Sequence, residues 1–416
     1  MKKFTVLSAK FWPLLFLGLI IRLLLMPTTL HPDLWAISFS QKFFVFDGIT
    51  NIYDYLAGLP SSSDLVVNYG RNFFTYPPLA YFSLGIFGFL LKPFFNADFF
   101  TNLASNLPYI YNDNRLYWHL FLTKFPYLFF DFGALYFLVK LFDGEKEKKK
   151  AALFWLFNPL TLYTSYMIGQ FDIIPVFFCV LSLYLAKGKK LYLSALALGV
   201  GGAFKMFPLF FLPFLIFNFE GNLLKKIRLT LMGIFPFVIT ILPFVNSAGF
   251  KQNVLFSNQS EKMLFAKIPV SGAEYLSLFV VIYIFLLIFS FVKKMDLWKW
   301  FLVVILLFFS VTHYHPQWFL WATPFLIIFL VIYPRFWSFP VILFFCWFFI
   351  MIFFEPSLSI GLFAPISNSL TVPIPLSDVV NHYYNVFQFK SIIRSIFAGT
   401  SSFLIFKLFT QKNNVV

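Results

Sequence analysis

Charge is the scarcest property of this chain. Asp, Glu, Lys and Arg together make up 12% of its 416 residues, and only 17 residues are acidic. A typical soluble domain is about a quarter charged. That shortage excludes a soluble globular enzyme, a disordered chain and a nucleic-acid-binding protein, each of which needs far more polar or basic surface. Cysteine is almost missing too. Cys179 and Cys346 each lie in an apolar run, so they build no disulfide framework and tell nothing about compartment. Walker loops, GxGxxG fingerprints, HExxH pairs and Cys/His metal clusters are absent from the sequence. No small-residue cleavage site follows the first apolar run, so that run does not read as a secretory signal. An inverted internal repeat is not evident either.

What the chain has is apolar length. Hydrophobic residues are 60% of it, with 66 Phe and a mean hydropathy of +0.80. This is the composition of an all-α polytopic membrane protein, whose core is set by the bilayer. The net charge of +15 gathers in short patches between apolar runs. These are Lys2, Lys3 and Lys10; Lys146, Lys148, Lys149 and Lys150; Lys187, Lys189 and Lys190; Lys225, Lys226 and Arg228; Lys293, Lys294 and Lys299; Arg335; and Lys407 with Lys412. Basic loops stay in the cytoplasm, so an even number of spans separates each patch from the next. Before Lys146 there are three apolar candidates, 11–27, 77–92 and 117–142. Two crossings keep every patch inside and three invert them. The weakest candidate is 77–92, short and bounded by Pro77-Pro78 and Lys92-Pro93, and it reads as a helix at the outer interface.

The expected architecture is therefore one integral membrane domain, 1–416, with about twelve spans. It comprises a long first extracytoplasmic loop with interfacial helices, 28–116, a helical module, 117–335, and C-terminal transmembrane helices, 336–416. The spans fall at 11–27, 117–142, 151–168, 173–187, 190–204, 207–218, 229–246, 274–292, 299–314, 318–333, 338–354 and 386–408. Both termini are expected in the cytoplasm, in a plasma (inner) membrane.

The chemistry-bearing residues concentrate at the outer ends of these spans. Asp33, in His31-Pro32-Asp33-Leu34-Trp35, has two readings: a general base for an attacking hydroxyl, or a helix cap after Pro32. Further along the loop, Arg71 can pair with a phosphate or be solvated. Tyr76 precedes the prolines that start the interfacial helix. Asp47 and Asp54 read as turn formers. Lys124 and Asp131 are seven residues apart in one span, on one helix face and roughly 10 Å apart, and each is expected to pair elsewhere. Arg22 either snorkels outward or serves function. In Gly169-Gln170-Phe171-Asp172, Asp172 caps the next helix or orients a substrate. Lys205 falls in an outer turn with nothing nearby in sequence to neutralise it, which points to an anionic ligand. His313 and His315, in Thr312-His313-Tyr314-His315-Pro316-Gln317, suit hydrogen bonding to an anion or a structural interfacial role. Two imidazoles alone do not make a metal site.

These pieces, in this order, resemble the GT-C superfamily of polytopic glycosyltransferases. They are Asp33 after the first span, Thr75-Tyr76-Pro77-Pro78-Leu79, Lys124 with Asp131, Asn158-Pro159, Gly169-Gln170-Phe171-Asp172, Lys205 with Pro208, and His313 to Gln317. The likeness covers about residues 20–335. It is strongest to dolichyl-phosphate-glucose-dependent glucosyltransferases and to bacterial relatives of GPI mannosyltransferases. It implies inverting transfer of a hexose, mannose or glucose, from a polyprenyl-phosphate sugar to a lipid-linked or cell-envelope glycan acceptor. Asp33 would be the catalytic base. Lys205, His313, His315 and Arg71 would meet the donor phosphate. Arg22, Tyr76, Lys124, Asp131, Gln170 and Asp172 would orient substrate or support the site. Many members carry a second acidic residue beside the first; Pro32 and Leu34 stand there instead, so a divalent metal is not indicated and no cofactor is expected. The expected partners are the donor, a glycan or glycolipid acceptor and membrane lipid, with no nucleic acid. A lipid-linked sugar flippase or transporter, and a glycan polymerase or ligase, remain as rivals.

Overall fold

The computed structural model describes residues 11–219, 221–257, 260–371 and 374–411; the patch Lys2, Lys3 and Lys10, and Lys412, lie outside them. The protein is all-α apart from one short hairpin. α1 (Trp12–Thr28) ends just after Pro27, and the chain turns 84° into α2 (Asp33–Val45). The turn has a local cause. Thr29 is extended, and the Pro32 ring presets the backbone so that Asp33 becomes the first residue of α2. The long stretch to residue 116 is then filled by α3 (Ile52–Gly58), α4 (Asp64–Tyr69), α5 (Pro78–Leu90) and α6 (Ala97–Ser105), with α5 packed along α2.

α7 (Leu116–Lys124) and α8 (Tyr127–Lys140) together make one 25-residue apolar helix. α9 (Glu145–Leu156) stops before Asn158, whose Oδ1 accepts from the backbone N–H groups of Leu160 and Thr161 and so caps α10 (Pro159–Thr161). From there the helix widens into a π-turn, Leu162–Ile168, and closes at Gly169 with φ +84°. A β-carbon on Gly169 would sit 2.7 Å from Leu34 Cδ1 and 2.9 Å from Lys124 Cε. Both the left-handed backbone and the close packing therefore require glycine.

α11 (Ile173–Lys187) and α12 (Leu191–Phe204) form a hairpin, followed by α13 (Leu212–Asn218), α14 (Leu223–Ile241) and α15 (Ala248–Phe250). α12 and α14 touch backbone to backbone, because a β-carbon on Gly199 would overlap the carbonyl of Gly233. The hairpin pairs β1 (Lys267–Pro269) with β2 (Tyr275–Ser277), Ile268 opposite Leu276. The last third is α16 (Leu278–Val292), α17 (Leu297–Val311), α18 (Thr323–Ile332), α19 (Ser338–Ile352), α20 (Leu376–Asn381) and α21 (Val386–Thr410). α17 is the axis of the core, buried at every residue from Leu297 to Phe309. In contrast, α14 and α16 turn Leu231, Phe235, Ile239, Phe285 and Ile288 outward. Apolar faces of this extent are unstable in water and suited to lipid.

Among the described residues, four helices are long and apolar enough to cross a membrane: Leu116–Lys140, Leu223–Phe244, Pro334–Ile352 and Val386–Thr410. The bent pair α1–α2 makes a fifth if it counts as one span. Seven more apolar helices are only 10–17 residues long. Most of the twelve expected spans thus coincide with helices shorter than a crossing needs. Proline is one reason. Pro208 and Pro316 each open a tight 3-10 turn, at Phe207–Phe211 and Pro316–Ala322, before the helix that follows.

Candidate functional site

The bend between α1 and α2 is held by a buried cation. Lys124 Nζ donates to the carbonyls of Met26 (3.0 Å), Thr29 (2.5 Å) and Tyr166 (2.9 Å). These oxygens lie at or just past the C-terminal end of α1 and in the π-turn, where carbonyls lack helical partners and the helix dipole is negative. One turn deeper, Arg22 does not snorkel. It is fully buried, with Nε donating to Asp131 Oδ2 at 2.5 Å and Nη1 to the carbonyls of Gly18 and Leu156. Asp131 also accepts from Tyr166 Oη (2.7 Å) and Trp155 Nε1 (2.6 Å). Lys124 and Asp131 serve different partners, and both are saturated from within the protein.

Asp33 stands at the other side of this scaffold and is open. Its side chain is 41% exposed. Gln170 Nε2 donates to its Oδ2 at 2.9 Å, Gln317 Nε2 lies at 3.5 Å, and the imidazole of His31 is 3.6 Å from its Oδ1. His31 Nδ1 accepts the backbone N–H of Asp33, and its Nε2 faces Ser357 and Glu355. That contact with His31 draws the Glu355 carboxyl below its ordinary range. Tyr76 Oη reaches the other end of the Gln170 amide, Oε1, at 3.3 Å. Burial, with the charges of Asp33 and Asp172, pushes the Tyr76 phenol upward and keeps it protonated. Gln170 is the link between phenol and carboxylate, and the π-turn closing at Gly169 puts it there.

Opposite the carboxylate lies a group of cations and imidazoles drawn from three distant segments. Lys262 comes from the short helix Ser260–Leu264 and stacks over Trp318 at 5.0 Å. It is 9% exposed, and its Nζ has no hydrogen bond or ion pair among the described residues. Burial lowers its pKa to about 8, with Asp33 acting in the opposite direction. His313 and His315 face each other with ring centroids 6.2 Å apart, and both pack on Phe354. Burial lowers each to about 4. Lys262 reinforces that at both, with Arg394 and Lys390 adding to it at His313. Arg394, from α21, lies over the Tyr314 ring at 5.1 Å. Tyr314 Oη and Gln317 Oε1 are buried and have no partner among the described residues. A half-open carboxylate, an unpaired ammonium, two neutral imidazoles and the unsatisfied Gln317 Oε1 are suited to a ligand that carries both hydroxyls and negative charge.

Two of the expected phosphate contacts have partners within the protein. Lys205 is not a free cation. Its Nζ is 2.6 Å from Asp172 Oδ2, and the ammonium lies over the rings of Tyr76 and Phe171. Asp172 is fully buried and also accepts from Trp321 Nε1 at 2.6 Å. The partner lies 33 residues away in sequence, out of reach of a search among neighbours. Arg71 donates to the carbonyl of Leu59 and to Ser61 Oγ, and no hydrogen bond joins it to the Asp33 group. The turn readings are simple: Asp47 pairs with Lys42, and Asp54 ties its helix to Ser247 and Gly249. Lys262, His31 and Glu355 had no signal in the sequence beyond lying in outer segments, whereas Arg394 lies within the expected span 386–408, where a charge is itself a signal. Gln317 was visible only as the end of the His313 to Gln317 run. Among the described residues, no three His, Cys, Asp or Glu side chains converge as a metal site.

Comparison with known proteins adds no family: no protein-family model matches the chain, and neither does any curated protein.

Proposed function

We propose that the protein is an inverting membrane glycosyltransferase that uses a polyprenyl-phosphate sugar, with its site on the extracytoplasmic face. The observation that carries the reading is the half-exposed Asp33 set against the buried, unpaired Lys262. The charge of Asp33 acts on Lys262, which brings a base and a cation into one neighbourhood, as transfer from a phosphate ester requires. Asp33 Oδ1 takes the proton of the acceptor hydroxyl. The hydroxyl oxygen attacks the anomeric carbon from the face opposite the phosphate. The anomeric C–O bond breaks, and its electron pair leaves with the polyprenyl phosphate. Lys262, Arg394 and the His313/His315 pair meet that developing charge, and Gln170 and Tyr76 hold the base. Relative to the expectation from sequence, Lys262 takes the place of Lys205 and Arg71 at the phosphate. Breaking the sugar–phosphate bond drives the reaction, so no nucleotide is needed.

The same reading places the chain in a GT-C-like fold in the plasma (inner) membrane, with about twelve apolar segments crossing it and cytoplasmic termini. The shorter helices would cross with their prolines and polar ends facing protein rather than lipid. The acceptor is a lipid-linked or cell-envelope glycan.

The test is transfer by purified wild type and Asp33→Asn in lipid nanodiscs, with a panel of polyprenyl-phosphate hexoses and a membrane lipid extract as acceptor. Transfer by wild type alone supports the reading, and the active donor names the sugar. Transfer that survives the substitution removes Asp33 as base. Absence of transfer with every donor, together with movement of a lipid-linked sugar across the bilayer, would replace the enzyme with a flippase.

A further inference from the structure

Behind α2, away from Asp33, residues 93–122 form two half-open surface cavities of about 350 and 290 Å³. They meet at an ion pair in which Arg115 clasps Asp113 through Nε (2.9 Å) and Nη2 (2.6 Å). Arg115 lines the first cavity and Asp113 the second. The remaining Nη1 of Arg115 is held by Asn96 Oδ1 at 3.0 Å. The charges cancel and three of the five guanidinium N–H groups are engaged, so the concavity has no net positive charge to offer an anion.

It offers a good deal to a neutral, hydroxyl-rich ligand. Large exposed rings stand at the walls, Phe94 and Trp118 in the first cavity and Tyr109 in the second, with Trp118 51% and Tyr109 71% exposed. Trp118 is kept in place by stacking on Phe121 and by donating to the Phe94 carbonyl. Such rings pack against the C–H faces of sugars. Asn102 and Asn106 line the second cavity and donate only long bonds, 3.5 and 3.4 Å, to Asp113 and Ser105. Their amides therefore keep donor and acceptor capacity for paired hydroxyls.

The first cavity adds an independent observation. His119 lines it, is 3% exposed, and binds Ser38 through Nε2, while its Nδ1 has no partner among the described residues. A buried ring nitrogen without a partner is costly. That nitrogen is closed off by the packing of Phe95, Phe99 and Phe100, so the imidazole gives the cavity its shape and not a hydrogen bond.

We propose that these two cavities bind an uncharged oligosaccharide, one ring in each, at a site separate from Asp33. Ser38, which backs His119, is five residues beyond Asp33, about 140° around α2 and roughly 7.5 Å along it. The glycan strip and the base thus share α2 as a wall without sharing a space. The inference does not depend on transfer at Asp33, since it concerns binding alone.

The experiment is ligand-observed NMR on the full chain in lipid nanodiscs, titrated with maltose, α-mannobiose and N,N′-diacetylchitobiose. Glucose 1-phosphate serves as the anionic control. Binding of at least one neutral disaccharide is expected, weakened about fivefold to tenfold by Tyr109→Ala and by Asn102→Ala, and retained by Tyr109→Phe. Asp33→Asn is expected to bind like wild type, which keeps this result separate from the outcome of the transfer assay. Absence of binding across the neutral panel overturns the proposal. So does unchanged binding in both alanine variants, or preference for the phosphate.

Discussion

Two polar clusters lie on either side of the same bend, and they are built in opposite ways. Around Asp131 the charges meet one another, although Arg22 Nη2 has no partner among the described residues: Arg22, Tyr166 and Trp155 all point at one carboxylate, and the neighbouring Lys124 is taken up by three carbonyls. Around Asp33 the carboxylate is open, Lys262 has no ionic partner among the described residues, and Gln317 and Tyr314 each keep an unsatisfied atom. Charge that is met inside the protein holds shape. Charge left unmet beside an open carboxylate is available to a ligand. The same criterion moves Lys205, saturated by Asp172, from the second class to the first.

The sharpest way to break this comparison is to exchange the consequences of the two carboxylates. Asp33→Asn is expected to cut sugar transfer by about 10²- to 10⁴-fold, the usual worth of a general base, with no loss of thermal stability in detergent. Asp131→Ala is expected to do the reverse first. It strands Arg22 in the core at a cost of about 3–5 kcal/mol, read as an early loss of the monodisperse species on heated size-exclusion chromatography. If Asp33→Asn proves the less stable of the two, the division between open and closed clusters is wrong.

A finer comparison sets Lys262 against Lys205. Lys262→Gln should raise the donor KM by about tenfold to a hundredfold, the range for losing a hydrogen bond to a charged group, and leave the melting temperature near wild type. Lys205→Gln should lower the melting temperature, because Asp172 is left buried without its cation, and should move KM less. Equal effects of the two substitutions on KM would return Lys205 to the phosphate.

The smallest effects are in pH. His313 and His315 titrate near 4 in the folded protein, against an ordinary value of about 6.5. Between these values the unfolded chain binds protons that the folded chain does not. Their contribution to stability is therefore complete above about pH 6.5 and is lost as pH falls toward 4. The double variant His313→Gln/His315→Gln should flatten that part of the stability profile. Lys262 loses its proton near pH 8. Donor KM should accordingly rise above pH 8, and Lys262→Arg should move that rise to higher pH. Steady-state kinetics across pH 6 to 10 read both.

Much of this molecule was legible without coordinates. Composition and the spacing of lysine patches mark apolar helices, because such a chain has no other stable use for so much Phe and so little charge. Pro32 marks the start of a helix at Asp33, because proline restricts φ wherever it stands, whereas the span expected over 151–168 runs through Asn158-Pro159, where the structure ends one helix and caps the next. Asp33 and Gln170 stood out individually. Their 2.9 Å contact across 137 residues did not.

Pairing is where sequence runs out. Whether a buried charge is free depends on what folds against it, and its partner is set by packing rather than by neighbours along the chain. Lys205 looked unneutralised because Asp172 belongs to the preceding helix of the hairpin. Arg22 looked able to snorkel because Asp131 is 109 residues away. Lys262 looked like any loop lysine until Trp318 and Asp33 were placed around it. Composition was enough to read an apolar, helical chain suited to a membrane, since hydropathy is summed residue by residue; where its helices break followed only in part from proline. Only the tertiary structure decided which charges close the scaffold and which remain for a ligand, since electrostatic partnership is a matter of distance in space.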